Sequence, residues 1–587
     1  MTRAGSVRMT AGLFAALLSA SSFGQAPSQP PNQAAGHPSS GAPTQAQPQA
    51  KQEPPVVRVT TRLVQVNVIV QDRKGEPVTD LTRDDFTLLD QGQPQIVSTF
   101  SVESLHTLPA AQPAPPNVFS NRFEQKTHTP TSVTVILLDG LNTRFEDMAY
   151  ARAQIIKFLG QLQPQDRVAL YTLTTRLTVL HDFTSDATSL LRALERSKGH
   201  VSAELAASER ELAASEPEPA NPMGIDALDE FLKAANQRMA DFYTINRVGR
   251  TAGTIEDIAN HLARLPGRKN LVWVSGSFPF SIGLDTPFTP ETTSQERRTF
   301  SEEIERAARA LNNANMAIYP VDARGLMGPS FTTRAPAFRP GQQGPGLRRN
   351  PVGPIGLSPD RANIDTMNIL ADRTGGRAFY NTNDIQGSVR RAIEDSRVTY
   401  VLGFYPTHGN WDAKFREIKV QVKRPGLHLR YRRGYLALPE ATFDSKKREV
   451  LMRAAVDSPL DDTSLGLEAH LHVVDVPGAM TLKIELLVYS RDLTLVAQGD
   501  RWAGAVDVLF VQRGTDGKEL AGELKTLNLN LVRETYDEIM KKGLGLTRNL
   551  PLAPGAAQLR VVVRDVSSGS IGSLTIPLTK LIPSSGG

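Results

Sequence analysis

The chain has 587 residues, of which 40% are hydrophobic and 22% are charged, and this balance is typical of a soluble globular protein. The length is too great for one hydrophobic core, so we expect about three or four domains. The net charge of +5 is small and spread along the chain, which argues against a nucleic-acid partner. The absence of cysteine excludes disulfides, thiolate metal sites, cysteine nucleophiles and a lipidated cysteine anchor.

The first residues have the pattern of a secretory signal peptide. Arg3 and Arg8 precede a short apolar run, Met9–Ala20, and small residues follow. The run is short for a membrane span, although an uncleaved membrane anchor is the alternative. We predict a signal peptide over 1–25, export to the periplasm or beyond the cell, and no transmembrane span after cleavage.

Two segments of different character follow the signal pattern. Residues 26–55 are rich in Pro, Gln, Ala and Ser, a composition that buries too little apolar surface to fold, so we predict a disordered linker. Residues 56–105 contain Val64, Val66 and Val68 in alternation with polar residues. This period of two predicts a small β domain.

Residues 131–405 alternate between strand-like and helix-like segments. Val133–Leu138 (VTVILL) is apolar on both faces, as a central parallel strand covered by helices on both sides requires. Thr178–Phe183 has the character of a short antiparallel edge strand. The alternation predicts a doubly wound, mostly parallel sheet of the Rossmann type. We also predict a helical insertion over 200–250 and a flexible loop over 327–360.

The remaining elements of this α/β domain are placed by their apolar periodicity. Strands are predicted at 166–173, 270–275, 316–322, 377–380 and 399–404, the last of which completes the domain. Helices are predicted at 148–162, 186–198, 254–264, 294–312, 364–373 and 384–395.

Helical patterns become rare after residue 412. Residues 412–437 alternate as a β extension, and residues 445–583 contain several alternating runs separated by Gly and Asp turns, which is typical of a β-sandwich-like domain. The predicted fold is therefore multidomain α/β plus β, with a central doubly wound sheet flanked by N-terminal and C-terminal β-sandwich-like domains.

Polar side chains cluster where the predicted strands end. Ligands of open α/β sheets bind at the carboxyl ends of the strands. Asp139–Thr143 (DGLNT) follows one strand, Ser275 ends another, and Thr251–Thr254 (TAGT) precedes the predicted helix at 254–264. Carboxylate and hydroxyl oxygens suit Mg²⁺ or Ca²⁺, so we expect a site for one of these ions.

The order of these segments resembles von Willebrand factor A (vWA) domains. The segments that carry the resemblance are DRVALYTL, TVLHDF and TIEDIANHLARLPGRKNLVWVSG. Leu137–Thr143 with Ala151–Ile155 resembles the vWFA-related proteins of Acidobacteria. The likeness covers about residues 55–435, and it lies in the order of the segments more than in any single motif.

The resemblance implies a metal-ion-dependent adhesion site (MIDAS), which in the family uses Asp-x-Ser-x-Ser, a Thr and a second Asp. Leu141 stands at the middle serine position and cannot coordinate, and Ser275 stands where the family has its second Asp. Alternatively, Asp139 and Thr143 cap the helix that follows them. The ligands carried over from the family are Asp139, Thr143, Thr254 and Ser275, with Asn142 and Thr251 as substitutes.

Two weaker patterns suggest ligands, and each has a simpler structural alternative. His470 and His472 share one face of a predicted strand with Glu468, which is the start of a zinc site or an ordinary solvated face. Asp322 and Arg324 follow a strand end, where they line the crevice or form a structural ion pair. We favour the simpler alternative for both.

A third weak pattern is a basic and aromatic run close to residue 432. Such a run occurs on nucleic-acid surfaces, and also on edge strands whose charges block pairing with other chains. We favour the edge strand. The run contains Arg430, Tyr431, Arg432, Arg433 and Tyr435.

The sequence contains no nucleophile elbow, phosphate loop, zincin helix or dinucleotide fingerprint. We therefore predict a binding protein and not an enzyme, with an unrecognised hydrolase as a third hypothesis. The expected partner is a protein or polysaccharide outside the cytoplasm, whose carboxylate completes the coordination of the metal ion. The alternative is a scaffold or assembly protein with a vestigial, metal-free site.

The signal pattern makes a direct prediction. When the full chain is produced in a bacterium with a general secretion pathway, the protein outside the cytoplasm should begin close to residue 26, since the small residues before Gln25 suit cleavage. Mass spectrometry of the exported and cytosolic fractions measures this. An exported protein that retains Met9–Ala20 would instead indicate a membrane anchor.

Overall fold

The structure is a computed structural model that describes most of the chain after residue 62. The predicted signal peptide 1–25, the predicted linker 26–55 and nearly all of the predicted loop 327–360 lie outside the described residues. Within the described residues, no helix is both long and apolar enough to cross a membrane. The described residues are 63–104, 117–122, 132–197, 199, 202–214, 226–265, 267–278, 306–326, 359–395, 397–412, 414–437, 445–476 and 479–581.

Strands and helices alternate in the middle of the chain, and strands predominate at both ends of the described part. The strands are β1 Val64–Gln71, β2 Phe86–Asp90, β3 Gln93–Gln95, β4 Thr99–Ser104, β5 Val118–Ser120, β6 Ser132–Asp139, β7 Val168–Leu173, β8 Leu177–Thr184, β9 Arg268–Ser275, β10 Met316–Asp322, β11 Val398–Phe404, β12 Phe415–Val422, β13 His428–Tyr431, β14 Gly434–Leu436, β15 Leu467–Val476, β16 Ala479–Val488, β17 Val496–Gln498, β18 Arg501–Gly514, β19 Glu519–Val532, β20 Leu544–Pro551, β21 Ala556–Asp565 and β22 Ile571–Pro577. The helices are α1 Phe145–Leu159, α2 Ala187–Arg196, α3 Ala203–Ala214, α4 Asp226–Leu262, α5 306–314, α6 Pro359–Thr374, α7 Ile385–Glu394, α8 Ser445–Asp457 and α9 Arg533–Lys542.

The central sheet has the strand order β10-β9-β6-β7-β8. Its first four strands are parallel, and β8 runs antiparallel to β7 at the edge. This confirms the predicted mixed, mostly parallel sheet and its antiparallel edge strand. Residues 377–380, which we predicted to be a further strand, contribute only a bridge between Phe379 and Val321.

Helices cover both faces of this sheet. Successive side chains of a strand point to opposite faces, and in β6 Val135 and Leu137 join one apolar cluster while Ile136 and Leu138 join another. The first cluster includes side chains of α4, α5 and α6, and the second includes side chains of α1, α2 and α7. A strand that is apolar at every position is stable only between two such layers.

The helical insertion forms a hairpin of α3 and the long helix α4. The sequence suggested a new helix at 254–264, but α4 continues without interruption from Asp226 to Leu262. The Thr251 hydroxyl donates a hydrogen bond to the Arg247 carbonyl, as a threonine inside a helix commonly does. The apolar period also continues through this region, in Val248, Ala252, Ile255 and Ala259.

Two chain segments that we predicted to form separate units share one apolar cluster. The strand orders are β13-β1-β11-β4 and β14-β12-β2-β3, and buried side chains of both sheets belong to that cluster. Strand β11 therefore pairs with β1 and β4 and does not complete the parallel sheet, as we had expected for 399–404. The α/β segment is inserted between the two halves of this β unit, predicted at 56–105 and 412–437.

The C-terminal region also contains two sheets around one apolar cluster. Their orders are β20-β16-β15-β5 and β17-β18-β21-β22, with β19 paired to β18. Strand β5 comes from a segment far earlier in the chain than the predicted domain at 445–583. Asn121, which follows β5, fixes this strand because its amide donates to the carbonyls of Asp462 and Leu465 and accepts from the Leu467 N–H.

The continuity of α4 can be tested at Gly253. A Cβ added there would meet no atom within 4 Å. Gly253→Ala should therefore raise the free energy of unfolding by about 0.5–1 kcal/mol, because alanine loses less backbone entropy in a helix. Urea denaturation followed by circular dichroism measures the change.

The matched control is Gly376→Ala. Its Cβ would lie 1.8 Å from the Ile318 carbonyl oxygen, so this substitution should lower stability by about 2 kcal/mol or more. A Gly253→Ala protein that is less stable than the wild type would show that α4 is interrupted at Thr251–Thr254.

Candidate functional site

The candidate site lies at the carboxyl end of the central sheet, as the sequence predicts. Asp139 is the last residue of β6, and Ser275 is the last residue of β9. These strands are parallel neighbours, with Leu138 opposite Val274, so Asp139 and Ser275 lie side by side. Both side chains are fully buried.

Asp139 is surrounded by hydrogen-bond donors. Its Oδ2 accepts from Trp273 Nε1 at 2.9 Å, and the Ser275 hydroxyl lies 2.9 Å from the same oxygen. The backbone N–H of Asn142 donates to Oδ1 at 3.0 Å, and the Asn142 side-chain amide lies 2.9 Å from Oδ2. Ser275 shares its single proton between Asp139 and the carbonyl of Ser277, 2.7 Å away. Protein donors therefore occupy both carboxylate oxygens.

Asn142 connects this carboxylate to the helical hairpin. Its Nδ2 donates to Thr251 Oγ1 at 2.8 Å, and its Oδ1 accepts from a guanidinium nitrogen of Arg247 at 3.3 Å. The sequence predicted Asn142 and Thr251 only as substitute metal ligands. In the structure their polar atoms are hydrogen-bonded to each other.

Thr143 holds the loop after β6 and the loop after β9 together. Its hydroxyl donates to the Asp139 carbonyl and accepts from the Gly276 N–H, at 2.5 and 2.8 Å. A Cβ at Gly276 would lie 3.3 Å from the Thr143 side chain, so a glycine allows this close approach. The Thr143 hydroxyl therefore bonds to the backbone on both sides, as a donor and as an acceptor.

The other two predicted positions lie apart from the carboxylate network. Thr254 is buried in α4, one helical turn beyond Thr251, and it makes none of the hydrogen bonds around Asp139. Leu141 is buried in the apolar cluster below α4. The structure thus brings together Asp139, Thr143 and Ser275 but replaces Thr254 with Thr251.

The helical hairpin covers this end of the sheet. Ser202, directly before α3, donates to the Leu141 carbonyl at 2.8 Å. Arg144 forms an ion pair with Glu209 of α3 at 2.9 Å, and Arg250 of α4 pairs with Glu204 at 2.7 Å. The crevice in which an open α/β sheet usually binds its ligand is therefore closed by this chain's own insertion.

Burial sets the electrostatics of the site. It raises the pKa of the Asp139 carboxyl, and the hydrogen bonds from Asn142, Trp273 and Ser275 act in the opposite direction. Burial lowers the pKa of the Arg247 guanidinium, and the charge of Asp139 opposes that shift. Arg247 therefore supplies a positive charge that favours the ionised carboxylate.

The donor set around Asp139 does not fit a bound cation. Mg²⁺ and Ca²⁺ need six or more oxygen ligands, commonly from carboxylates, carbonyls and water, whereas Asp139 faces an indole N–H, two amide N–H groups and a hydroxyl. Among the residues described, no group of three or more His, Asp or Glu side chains is arranged to hold a metal.

The capping alternative also differs from the structure. Helix α1 begins at Phe145, and its N-cap residue is Arg144, without a side-chain capping hydrogen bond. Asp139 instead accepts from the Asn142 N–H within the loop, and Thr143 bonds to the loop backbone. The polar residues of this loop therefore bind strands β6 and β9 together and leave the helix uncapped by side chains.

Sequence reasoning missed Trp273 and Arg247. Trp273 lies on a strand that is buried throughout, and an indole N–H in such a position requires an acceptor nearby. The carboxylate that ends the neighbouring strand was the available candidate. Arg247 had no comparable signal, because its role depends on the continuity of α4.

The weaker patterns form ordinary structural contacts. Arg324 and Asp322 form an ion pair at 2.8 Å, which confirms the structural alternative. The rings of His470 and His472 lie 4.4 Å apart, and Glu468 accepts a hydrogen bond from Tyr489.

In the basic run, Arg430 pairs with Asp395, and the Arg433 guanidinium lies over the Tyr431 ring at 5.8 Å. Strand β13 pairs with β1 at one edge of its sheet, which is the edge position that we favoured. Arg432 differs from the other two arginines of the run because it is buried.

Comparison with known proteins gives matches in structure only. No family model matches the chain, and no curated protein matches its sequence. Similar solved structures include an aerotolerance-related membrane protein from Bacteroides fragilis, at 14% identity and a TM-score of 0.20, over 45% of this chain and 98% of that chain. A von Willebrand factor type A structure from Catenulispora acidiphila matches at 10% identity and a TM-score of 0.21, over 61% of this chain and 79% of that one.

The pilus adhesin SpaC from Lactobacillus rhamnosus GG matches at 7% identity and a TM-score of 0.22, over 80% of this chain and 57% of that chain. Structures of vWA type are thus among those similar to this chain. TM-scores at this level carry no argument about its site or function, and the likeness to the Acidobacteria proteins stays a prediction.

The Asp139 network predicts a large effect on stability. Asp139→Ala leaves the Trp273 N–H and the Asn142 amide buried without an acceptor, so it should lower the free energy of unfolding by about 3–5 kcal/mol. Thermal unfolding of the full chain measures this. Thr254→Val is the matched control, and it should change stability by less than about 1 kcal/mol. Equal losses in both variants would contradict the network described here.

Proposed function

We propose that this chain is a non-catalytic protein-binding scaffold that acts outside the cytoplasm, and that its vWA-like centre works without a bound cation. The observation that carries the proposal is the closed set of donors around Asp139. A MIDAS-type mechanism needs a cation with an open coordination position for the carboxylate of the partner. Here Trp273, Ser275 and Asn142 take the positions on the carboxylate that a cation would need.

Two further features support a scaffold. The hairpin of α3 and α4 covers the strand ends, so a partner would have to displace it to reach Asp139. Strand β5 and its neighbour Asn121 connect an early segment of the chain to the C-terminal sheets. The several sheets therefore form a framework on which partners can be positioned.

The nature of the partner is suggested by the surface of α4. Phe231 and Phe242 are 65% and 53% exposed, and Leu232 and Met239 are also exposed on the same side of the helix. Large apolar side chains grouped on a surface are typical of protein contacts. This favours a protein over a polysaccharide as the partner. The location outside the cytoplasm rests on the signal pattern of the sequence.

The metal-free centre can be tested with the full chain. A cation bound with a Kd of about 1 mM would, at about 10 mM, stabilise the protein by about 1.4 kcal/mol and raise the unfolding temperature of a chain of this length by about 1–2 °C. We expect no such shift with Mg²⁺, Ca²⁺ or Mn²⁺, and no heat in calorimetric titration. Treatment with a chelator should likewise leave the unfolding temperature unchanged.

Asp139→Asn serves as the control variant, since it keeps the shape of the side chain and removes its charge. Binding of a divalent cation by the wild type that this variant loses would overturn the proposal and restore the adhesion-site hypothesis. Binding that both proteins show equally would place the cation away from Asp139, and the metal-free centre would stand.

A further inference from the structure

A second site of interest lies at the amino end of β10, whereas Asp139 and Ser275 lie at the carboxyl ends of their strands. A cavity of about 50 Å³ opens between the α/β layer and strands β12 and β14. Its walls are mainly apolar and include Leu311, Leu370 and Phe415. A water molecule needs about 10–15 Å³ of such space, so the cavity holds about three to five atoms of that size.

Arg432 lines this cavity and is only 8% exposed. Its Nη1 donates to the side chain of Asn312, another lining residue, at 3.2 Å. Its Nε is buried without a hydrogen-bond partner. Within the described part of the chain, no carboxylate forms an ion pair with Arg432. A guanidinium has five N–H donors, and among the described residues only the amide oxygen of Asn312 accepts a hydrogen bond from this one.

Two other buried arginines of the described residues each have a carboxylate partner. Arg564 pairs with Asp507 at 3.0 Å, and Arg560 pairs with Asp461 at 2.7 Å. Proteins normally compensate a buried charge in this way, because an unpaired one is costly. Burial without a counter-charge also lowers the pKa of Arg432 to about 10, so it remains protonated at neutral pH. Arg432 therefore has a strong unmet preference for an anion.

Arg373 adds a second positive charge to the same cavity. Its guanidinium lies over the Phe415 ring, 4.3 Å from the ring centre. Two guanidinium groups beside apolar walls match an anion that carries a small apolar group. Arginine binds a carboxylate through two parallel hydrogen bonds, which suits the unused donors of Arg432.

We propose that this cavity binds a short organic carboxylate, with the carboxylate group on Arg432 and the apolar part against Leu370 and Phe415. The size of the cavity limits the ligand to acids of about two or three carbons. The site is independent of the scaffold function and of the Asp139 network. The bound carboxylate supplies the negative charge that no described residue provides as an ion pair to Arg432.

The experiment uses the full chain and sodium propionate as the probe. Propionate at tens of millimolar should raise the unfolding temperature relative to sodium chloride at the same ionic strength, and saturation-transfer NMR should detect its methyl group on the protein. Octanoate should bind at least tenfold more weakly because its chain exceeds the cavity. An equal response to chloride, or no response to propionate, would overturn the proposal.

Arg432→Met should abolish the propionate response. This variant replaces an unpaired buried charge with an apolar chain of similar length, so it should fold at least as stably as the wild type without ligand. Arg432→Lys keeps the charge but loses the forked geometry, and it should weaken binding about tenfold. Arg424→Met is the control, because Arg424 is exposed and paired with Asp80 elsewhere on the surface. A full propionate response in Arg432→Met would reject the assignment.

Discussion

A carboxylate that is buried away from solvent must accept its hydrogen bonds from donors of the protein. For Asp139 these donors come from two segments that lie far from each other in the sequence. The loop after β6 supplies Asn142, and β9 supplies Trp273 and Ser275. Through Asn142 the same network reaches Arg247 of the helical hairpin. The neighbouring strands β6 and β9, the loop between β6 and α1, and the covering hairpin are therefore held in one arrangement by the hydrogen bonds around one buried carboxylate.

This constraint explains why a fold that suits ligand binding is closed at its usual site. The resemblance to vWA domains supplied Asp139, Thr143 and Ser275 as metal ligands, and the structure does bring these three residues together. Their oxygens, however, face N–H donors, the protein backbone and each other. Leu141, where the family has a serine, packs into the apolar core. Residues that could have surrounded a cation thus form a junction between strands.

The sequence predicted the position of a strand in the central sheet correctly where the residue pattern of that strand alone determines its position. The run Val133–Leu138, which is apolar on both faces, predicted a central strand, and Thr178–Phe183 predicted the antiparallel edge. The location of β11 could not be predicted, since an apolar run fits any buried sheet and its partner β1 lies far away in the chain. The predicted start of a helix at Thr251–Thr254 was also wrong, because only tertiary packing shows that α4 continues through this segment. The role of Trp273 could not be predicted without knowing that Asp139, at the end of the neighbouring strand, lies beside it.

The insertion of the α/β segment within the β unit has a consequence for how the chain folds. Tyr400 accepts a hydrogen bond from the backbone of Leu81, a residue 319 positions earlier. At a synthesis rate of about 5–20 residues per second, Tyr400 emerges on the order of tens of seconds after Leu81. Until then β1, with its row of valines, lacks the partner β11 and offers an open edge to other chains. The first β segment to be synthesised thus waits for its partner until the whole α/β segment has been made, and only then can the sheet that contains β1 and β11 close.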